Sequence, residues 1–171
     1  MKKILFLLIP IVIYVFISSY LEKKNIIPAS AIRIRVLANS NLPQDQELKL
    51  KVKNNLEPYL YKILINDKNP AEAKTTIINN MDNIKNNIEL SLNNQATYSI
   101  NFGKNYFPKK EYKGITYDEG YYDSLLITLG DGLGDNWWCV LFPPLCLLEG
   151  KEYSDVEYTT YVSEIINKYF K

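Results

Sequence analysis

Asp118, Glu119 and Asp123 place three carboxylates close together on a turn. Two carboxyl groups about 5 Å apart would suit a retaining glycosidase, although three acids on a turn also read as a solvated corner. Carboxylate chemistry is the form of catalysis left open, because the 171-residue chain contains no histidine. That absence removes the imidazole base, the Ser-His and Cys-His nucleophiles and any His-ligated metal centre. The run Gly130-Asp131-Gly132-Leu133-Gly134 follows a predicted strand, where a glycine-rich turn can cradle phosphate. Its spacing matches neither a P-loop nor a dinucleotide fingerprint, and it reads as a tight exit turn. Two sulfurs, Cys139 and Cys146, do not make a zinc site without histidine. In an oxidising compartment they could close a small loop worth roughly 2 to 3 kcal/mol; otherwise they are two buried thiols in an apolar stretch. No metal and no cofactor is expected.

The segment from Asp135 to Cys146 is the most unusual in the chain. It holds both tryptophans, both cysteines and the pair Pro143-Pro144, which forbids a continuous helix or central strand. A rigid aromatic loop of this kind could serve as a preordered anchor for another protein, or fold inward as core. Trp137 and Trp138 are adjacent, so on an extended chain they point opposite ways, one expected in the core and one exposed. With 20 basic and 19 acidic side chains the net charge is +1, which offers no strong field for steering toward nucleic acid.

The elements that must position these residues begin after an N-terminal segment of a different kind. Lys2 and Lys3 precede an uninterrupted apolar run from Ile4 to Ile17, followed by Ser18 and Ser19 and then Glu22, Lys23 and Lys24. That order is an export signal. Residues 1–21 are expected to act as a signal peptide or a membrane anchor, since a helix of this length reaches about 27 Å, near the thickness of bilayer hydrocarbon. Residues 22–31 read as a linker, and residues 32–171 as a single extracytoplasmic domain.

Within the domain, Ile32 to Ala38 alternates apolar and charged before turning apolar, which predicts a strand. Leu48, Val52, Leu56, Leu60 and Ile63 recur at helical spacing and predict a helix from about Pro43 to Ile65, kinked or broken near Leu56 by Pro58. Asn69-Pro70 with Glu72 starts a second long helix, whose stripe of Ile77, Met81, Ile84, Ile88 and Leu92 carries it to about Leu92. Three Tyr-, Ile- and Thr-rich runs, Thr97 to Phe102, Tyr112 to Tyr117 and Tyr121 to Leu129, are expected to form an antiparallel meander that the first strand joins. Ser154 and Glu157 make a capping box for a C-terminal helix. The expected class is α+β: a four-stranded, mainly antiparallel sheet with two long helices and a C-terminal helix, preceded by the N-terminal hydrophobic export segment.

The uninterrupted run Asn136-Trp137-Trp138-Cys139-Val140-Leu141-Phe142-Pro143-Pro144-Leu145-Cys146, together with Val36-Leu37-Ala38-Asn39-Ser40, resembles the stage II sporulation protein R family of endospore-forming bacteria. Asp45-Gln46, the Leu48 to Val52 run and the Tyr122 to Leu129 strand leading into the glycine turn fit the same family. The likeness covers residues 32 to about 150. Arg35 stands where the family usually has histidine, and Asn41 where aspartate is common.

The resemblance implies a signal that is not itself an enzyme. Such proteins are made in the forespore and exported into the space between the two septal membranes. There they activate a membrane-embedded aspartic protease, the expected protein partner, which processes pro-sigma E. On this reading Arg33, Asn39, Trp137, Trp138, Pro143 and Pro144 contact the partner or shape the loop, and Cys139 with Cys146 is a candidate structural disulfide. The rival readings are a cell-wall hydrolase using acidic residues and a membrane-anchored structural protein of the septum.

Overall fold

A computed structural model of the chain describes residues 27–148 and 155–170. The expected export segment, the first part of the expected linker and Ser154 of the expected capping box lie outside the described residues. No helix among the described residues is long and apolar enough to cross a membrane.

The chain opens with strand β1 (Ile32–Leu37), then helices α1 (Pro43–Leu64), α2 (Pro70–Asn79) and α3 (Met81–Leu92). Five strands follow: β2 (Tyr98–Phe107), β3 (Lys110–Tyr112), β4 (Ile115–Tyr117), β5 (Gly120–Leu129) and β6 (Asn136–Phe142). A short 3-10 turn, Leu145–Leu148, leads toward the last helix, α4 (Asp155–Tyr169).

The class is α+β, as the sequence predicts, but the sheet is mixed. Its order is β2-β5-β1-β6; β1 runs parallel to β5 and antiparallel to β6, and β5 pairs antiparallel with β2 over ten residues. The first strand therefore lies inside the sheet and does not join the margin of a meander. Both of its faces are covered: Ile32, Ile34 and Val36 enter the core under the helices, and Arg33 and Arg35 turn to the other face. A strand covered on both sides is what a parallel pairing ordinarily requires. The stretch read as one strand from Tyr112 to Tyr117 is instead a separate hairpin of β3 and β4. Its two-residue turn has positive φ at both Lys113 (46°) and Gly114 (78°), the geometry that matches the twist of paired strands.

The helices follow the apolar stripes. Helix α1 runs through Pro58 without the break expected near Leu56, and Val52, Leu56, Leu60 and Leu64 stay buried along one side. The stripe expected to form one long second helix is divided between α2 and α3 at Asn80. The Asn80 side-chain amide donates to the Thr76 carbonyl (2.8 Å), competing with the helical ladder, and its Oδ1 accepts from the Tyr59 hydroxyl (3.2 Å). The start of α2 is as the sequence predicts: Asn69 Oδ1 accepts the Glu72 amide (3.0 Å) while Glu72 Oε2 accepts the Lys68 amide (2.8 Å).

Two cores result. The larger fills the space between the sheet and α1, α2 and α3. The smaller lies on the opposite face of the sheet, where Ile115 and Tyr117 of β4 and Tyr158 and Val162 of α4 pack on Val140, Leu145, Ile27 and Ala31. Packed residues thus reach back to Ile27, within the segment read as linker.

Candidate functional site

Strand β6 carries the Trp-Trp pair between the two cores. Because side chains alternate along a strand, Trp137 turns to the helix-side core and Trp138 to the smaller one. Both are half-buried, which corrects the expectation of one core and one exposed tryptophan. Each indole has a lysine above it: Lys53 of α1 lies 5.4 Å from the Trp137 ring centre, and Lys110 of β3 lies 5.2 Å from that of Trp138. Trp138 also meets Tyr117 and Phe107 edge to face, with centroids 5.1 and 6.0 Å apart.

Arg33 sits behind Trp138. It is 1% exposed, so it is not the surface contact the sequence suggested. Its guanidinium carbon lies 3.4 Å from the Tyr122 ring centre, 5.1 Å from Phe107 and 5.5 Å from Trp138. Nε and Nη1 are buried and have no hydrogen-bond partner. Burial pushes the Arg33 pKa down, and the nearby phenols of Tyr122 and Tyr117 act against that shift. Two residues on, Arg35 is half-buried, and burial lowers its pKa as well. With the Asn136 amide turned so that both groups are satisfied, its side-chain oxygen accepts from Arg35 Nη2 (2.8 Å) and Nε (3.0 Å). Arg35 Nη1 also reaches the Tyr106 carbonyl at 3.5 Å.

A groove of about 300 Å³ runs beside this cluster. Asn136, Trp137, Trp138, Cys139 and Val140 form its floor, Lys53 stands on one side, and Lys110, Tyr112, Tyr117 and Tyr158 stand on the other. Five successive strand residues can line one groove only if it follows the margin of the strand, where both faces are reached.

The remaining sequence-predicted residues lie at the two ends of β6. Asn39 shapes a turn: its Oδ1 accepts the Asp131 amide (3.0 Å) and its Nδ2 donates to Asp45 Oδ2 (3.0 Å). The glycine run is the exit turn expected from its spacing. Its amides are used internally, Gly132 by the Leu129 carbonyl and Gly134 by the Ala38 carbonyl, so no anion cradle remains there. Pro143 and Pro144 are buried at the far end, where the Phe142-Pro143 bond is cis and β6 gives way to the 3-10 turn.

Cys139 and Cys146, the candidate disulfide pair, are both buried. Both sulfurs are turned onto one acceptor, the Val140 carbonyl, at 3.6 and 3.2 Å. Glu119 accepts from the Tyr106 hydroxyl (3.2 Å) and Asp123 pairs with Lys104 (3.2 Å) and Lys74 (3.7 Å), while the backbone carbonyl of Asp118 accepts the Tyr122 hydroxyl (2.9 Å). Among the described residues no cluster of three metal-ligating side chains occurs.

Of the predicted set, the fold brings Arg33 and Trp138 together, places Trp137 on the reverse face, and sets Asn39 and the prolines at opposite ends. Sequence reasoning missed Lys53, Lys110, Phe107, Tyr117, Tyr122 and Asn136. The available signal was the tyrosine density of β4 and β5; nothing local said that these rings would close over Arg33.

The aromatic and cationic groove lies on a mixed-sheet α+β domain. The stage II sporulation protein R family model matches residues 28–152. A stage II sporulation protein R from Bacillus subtilis (strain 168) is 39% identical over 127 residues, covering 72% of this chain and 57% of the relative. The chain thus spans a little over half the length of that relative. No solved structure matches. The chain belongs to the stage II sporulation protein R family.

Proposed function

We propose that the chain is an exported sporulation signal that binds the extracytoplasmic part of a membrane-embedded aspartic protease and favours its active state, leading to processing of pro-sigma E. Family membership across residues 28–152 supports a role in sporulation and carries this reading. The groove beside Trp137 and Trp138 supports action by binding, since partly buried indoles flanked by cations suit a protein contact. Activation then is a population shift, which requires tighter binding to the active protease than to the resting one. The chain performs no chemistry of its own in this scheme. The N-terminal apolar run supports export across or into a membrane, and the septal intermembrane space is the proposed place of action.

The test is co-purification of the tagged full chain with the protease from sporulating cells, alongside a blot for pro-sigma E. Trp138→Phe is the informative variant, because it keeps a ring against Tyr117 and Phe107, whereas Trp138→Ala would open a cavity costing about 3 kcal/mol. The expected result is a folded Trp138→Phe protein with reduced association and reduced processing. A chain that stays in the cytoplasm, or pro-sigma E processing that proceeds equally without it, would refute the proposal.

A further inference from the structure

We infer that the groove along β6 receives an extended, acidic segment of the partner protein, an assignment that rests on the reading above in taking that partner to be a protein. Three observations converge. The lining residues described include two lysines and no carboxylate. Lys53 and Lys110 lie over the two indoles, on opposite walls, so a chain in the groove passes between them. Lys113 adds a third ammonium near the rim, over the Tyr112 and Tyr158 rings at 5.8 and 5.6 Å.

The charge beneath the floor has the same sign. Arg33 is buried behind Trp138 with two nitrogens lacking acceptors, and Arg35 is held by Asn136, itself part of the floor. No described carboxylate forms a salt bridge with either arginine, and Lys53 pairs with Glu57 at 3.1 Å. These two cations, behind a low-dielectric aromatic wall and with only the nearby charge of Asp118 acting on Arg33, add to the positive potential in the groove. An incoming carboxylate would meet that field together with the lysines.

Shape favours a peptide over a lipid surface. The aromatic rings form walls and floor and do not protrude as a wedge, and the floor is five strand residues long, about 16 Å at strand rise. An extended segment of similar length matches it.

The test uses the full chain in detergent micelles and a fluorescein-labelled peptide alternating glutamate and valine. A twin with lysine for glutamate, and vesicles of phosphatidylglycerol with phosphatidylcholine, serve as comparisons. The expected result is binding of the acidic peptide, weakened by salt and reduced about tenfold in the Lys53→Gln/Lys110→Gln double variant, with little binding of the lysine twin. An unchanged circular dichroism melt, together with the single variant Lys110→Gln, separates this loss from misfolding. Equal binding of both peptides, or unchanged acidic-peptide binding in the double variant, would overturn the inference. So would vesicle binding that depends on the two lysines while peptide binding does not. The signalling assay keeps the two readings apart. Should the wild-type chain bind the acidic peptide but fail to promote processing, the proposed function fails and the groove stands. Should the double variant lose the peptide yet signal fully, the groove is not the signalling surface.

Discussion

The guanidinium carbon of Arg33 lies 3.4 Å from the centre of the Tyr122 ring, while Nε and Nη1 of the same group meet no acceptor. The cation lies against ring faces without a salt bridge, and the charge of Asp118 adds a weaker stabilisation. A buried charge held this way carries a desolvation cost that its neighbours only partly offset.

Replacing Arg33 with methionine should therefore leave stability unchanged within about 1 kcal/mol, or raise it, because a flexible apolar chain of similar length fills the same box without the charge. Urea denaturation of wild type and Arg33→Met measures this. A loss above about 3 kcal/mol would mean that the cation-ring contacts outweigh the burial cost.

The turn between β5 and β6 makes a sharper prediction. Gly130 has φ of +54°, and a Cβ there would clash with Asn39 Oδ1. Gly130→Ala should cost about 1 to 3 kcal/mol, from backbone strain plus that clash. In an Asn39→Ala background the two severe contacts are gone, leaving the strain and a 3.0 Å approach to the Cβ of residue 39, so the Gly130→Ala cost should shrink by about 0.5 kcal/mol or more. Additive costs across the four proteins of this cycle would show that the side chain is not what excludes a Cβ.

Acid stability should report on Asp45. Hydrogen bonds from Ser40 (2.6 Å) and Asn39 (3.0 Å) hold its carboxyl below the ordinary value of 3.8. Because the folded pKa is depressed, the contribution is fully present above the unfolded value and is lost as pH falls through the folded one. Asp67 has the opposite sign: burial raises its pKa, against the Thr76 hydrogen bond, so its ionised form opposes folding and that opposition fades as pH falls. Asp45→Asn should thus flatten the fall in stability below about pH 3.8, and Asp67→Asn should steepen the net loss on acidification. A stability profile from pH 2 to 6 for both variants checks the signs. Identical acid limbs in wild type and Asp45→Asn would refute the first.

Helix stripes and caps were legible because they are local. Asn69 with Glu72 announces the start of α2, and Val52, Leu56 and Leu60 announce the buried side of α1, although Leu64 and not Ile63 is the buried residue at its end. The split at Asn80, where the side-chain amide bonds the Thr76 carbonyl, was not legible, since the apolar stripe continues through it. Strand pairing is non-local, so the alternation in β1 could not reveal that β5 lies beside it in parallel. The same limit misplaced Arg33. A charge alternating with apolar residues ordinarily marks a solvated face, but here Phe107, Tyr117, Tyr122 and Trp138, from four different strands, close over it. The Trp-Cys-Pro run was readable as a special segment, while its division into strand β6 and a 3-10 turn beyond the prolines was not.

Strand β6 reads Asn-Trp-Trp-Cys-Val-Leu-Phe, and after the first residue it is apolar at every position. Sliding it by one residue against β1 would exchange the two indoles and leave a greasy side chain at almost every site, so hydrophobicity alone cannot choose between the two alignments. The choice falls to polar latches at the strand's beginning: Asn136 clasping Arg35, and Asn41 Oδ1 taking the Asp135 amide at 2.6 Å. Asparagines that look like ornament in a Trp-rich run are thereby the alignment pins of the whole segment.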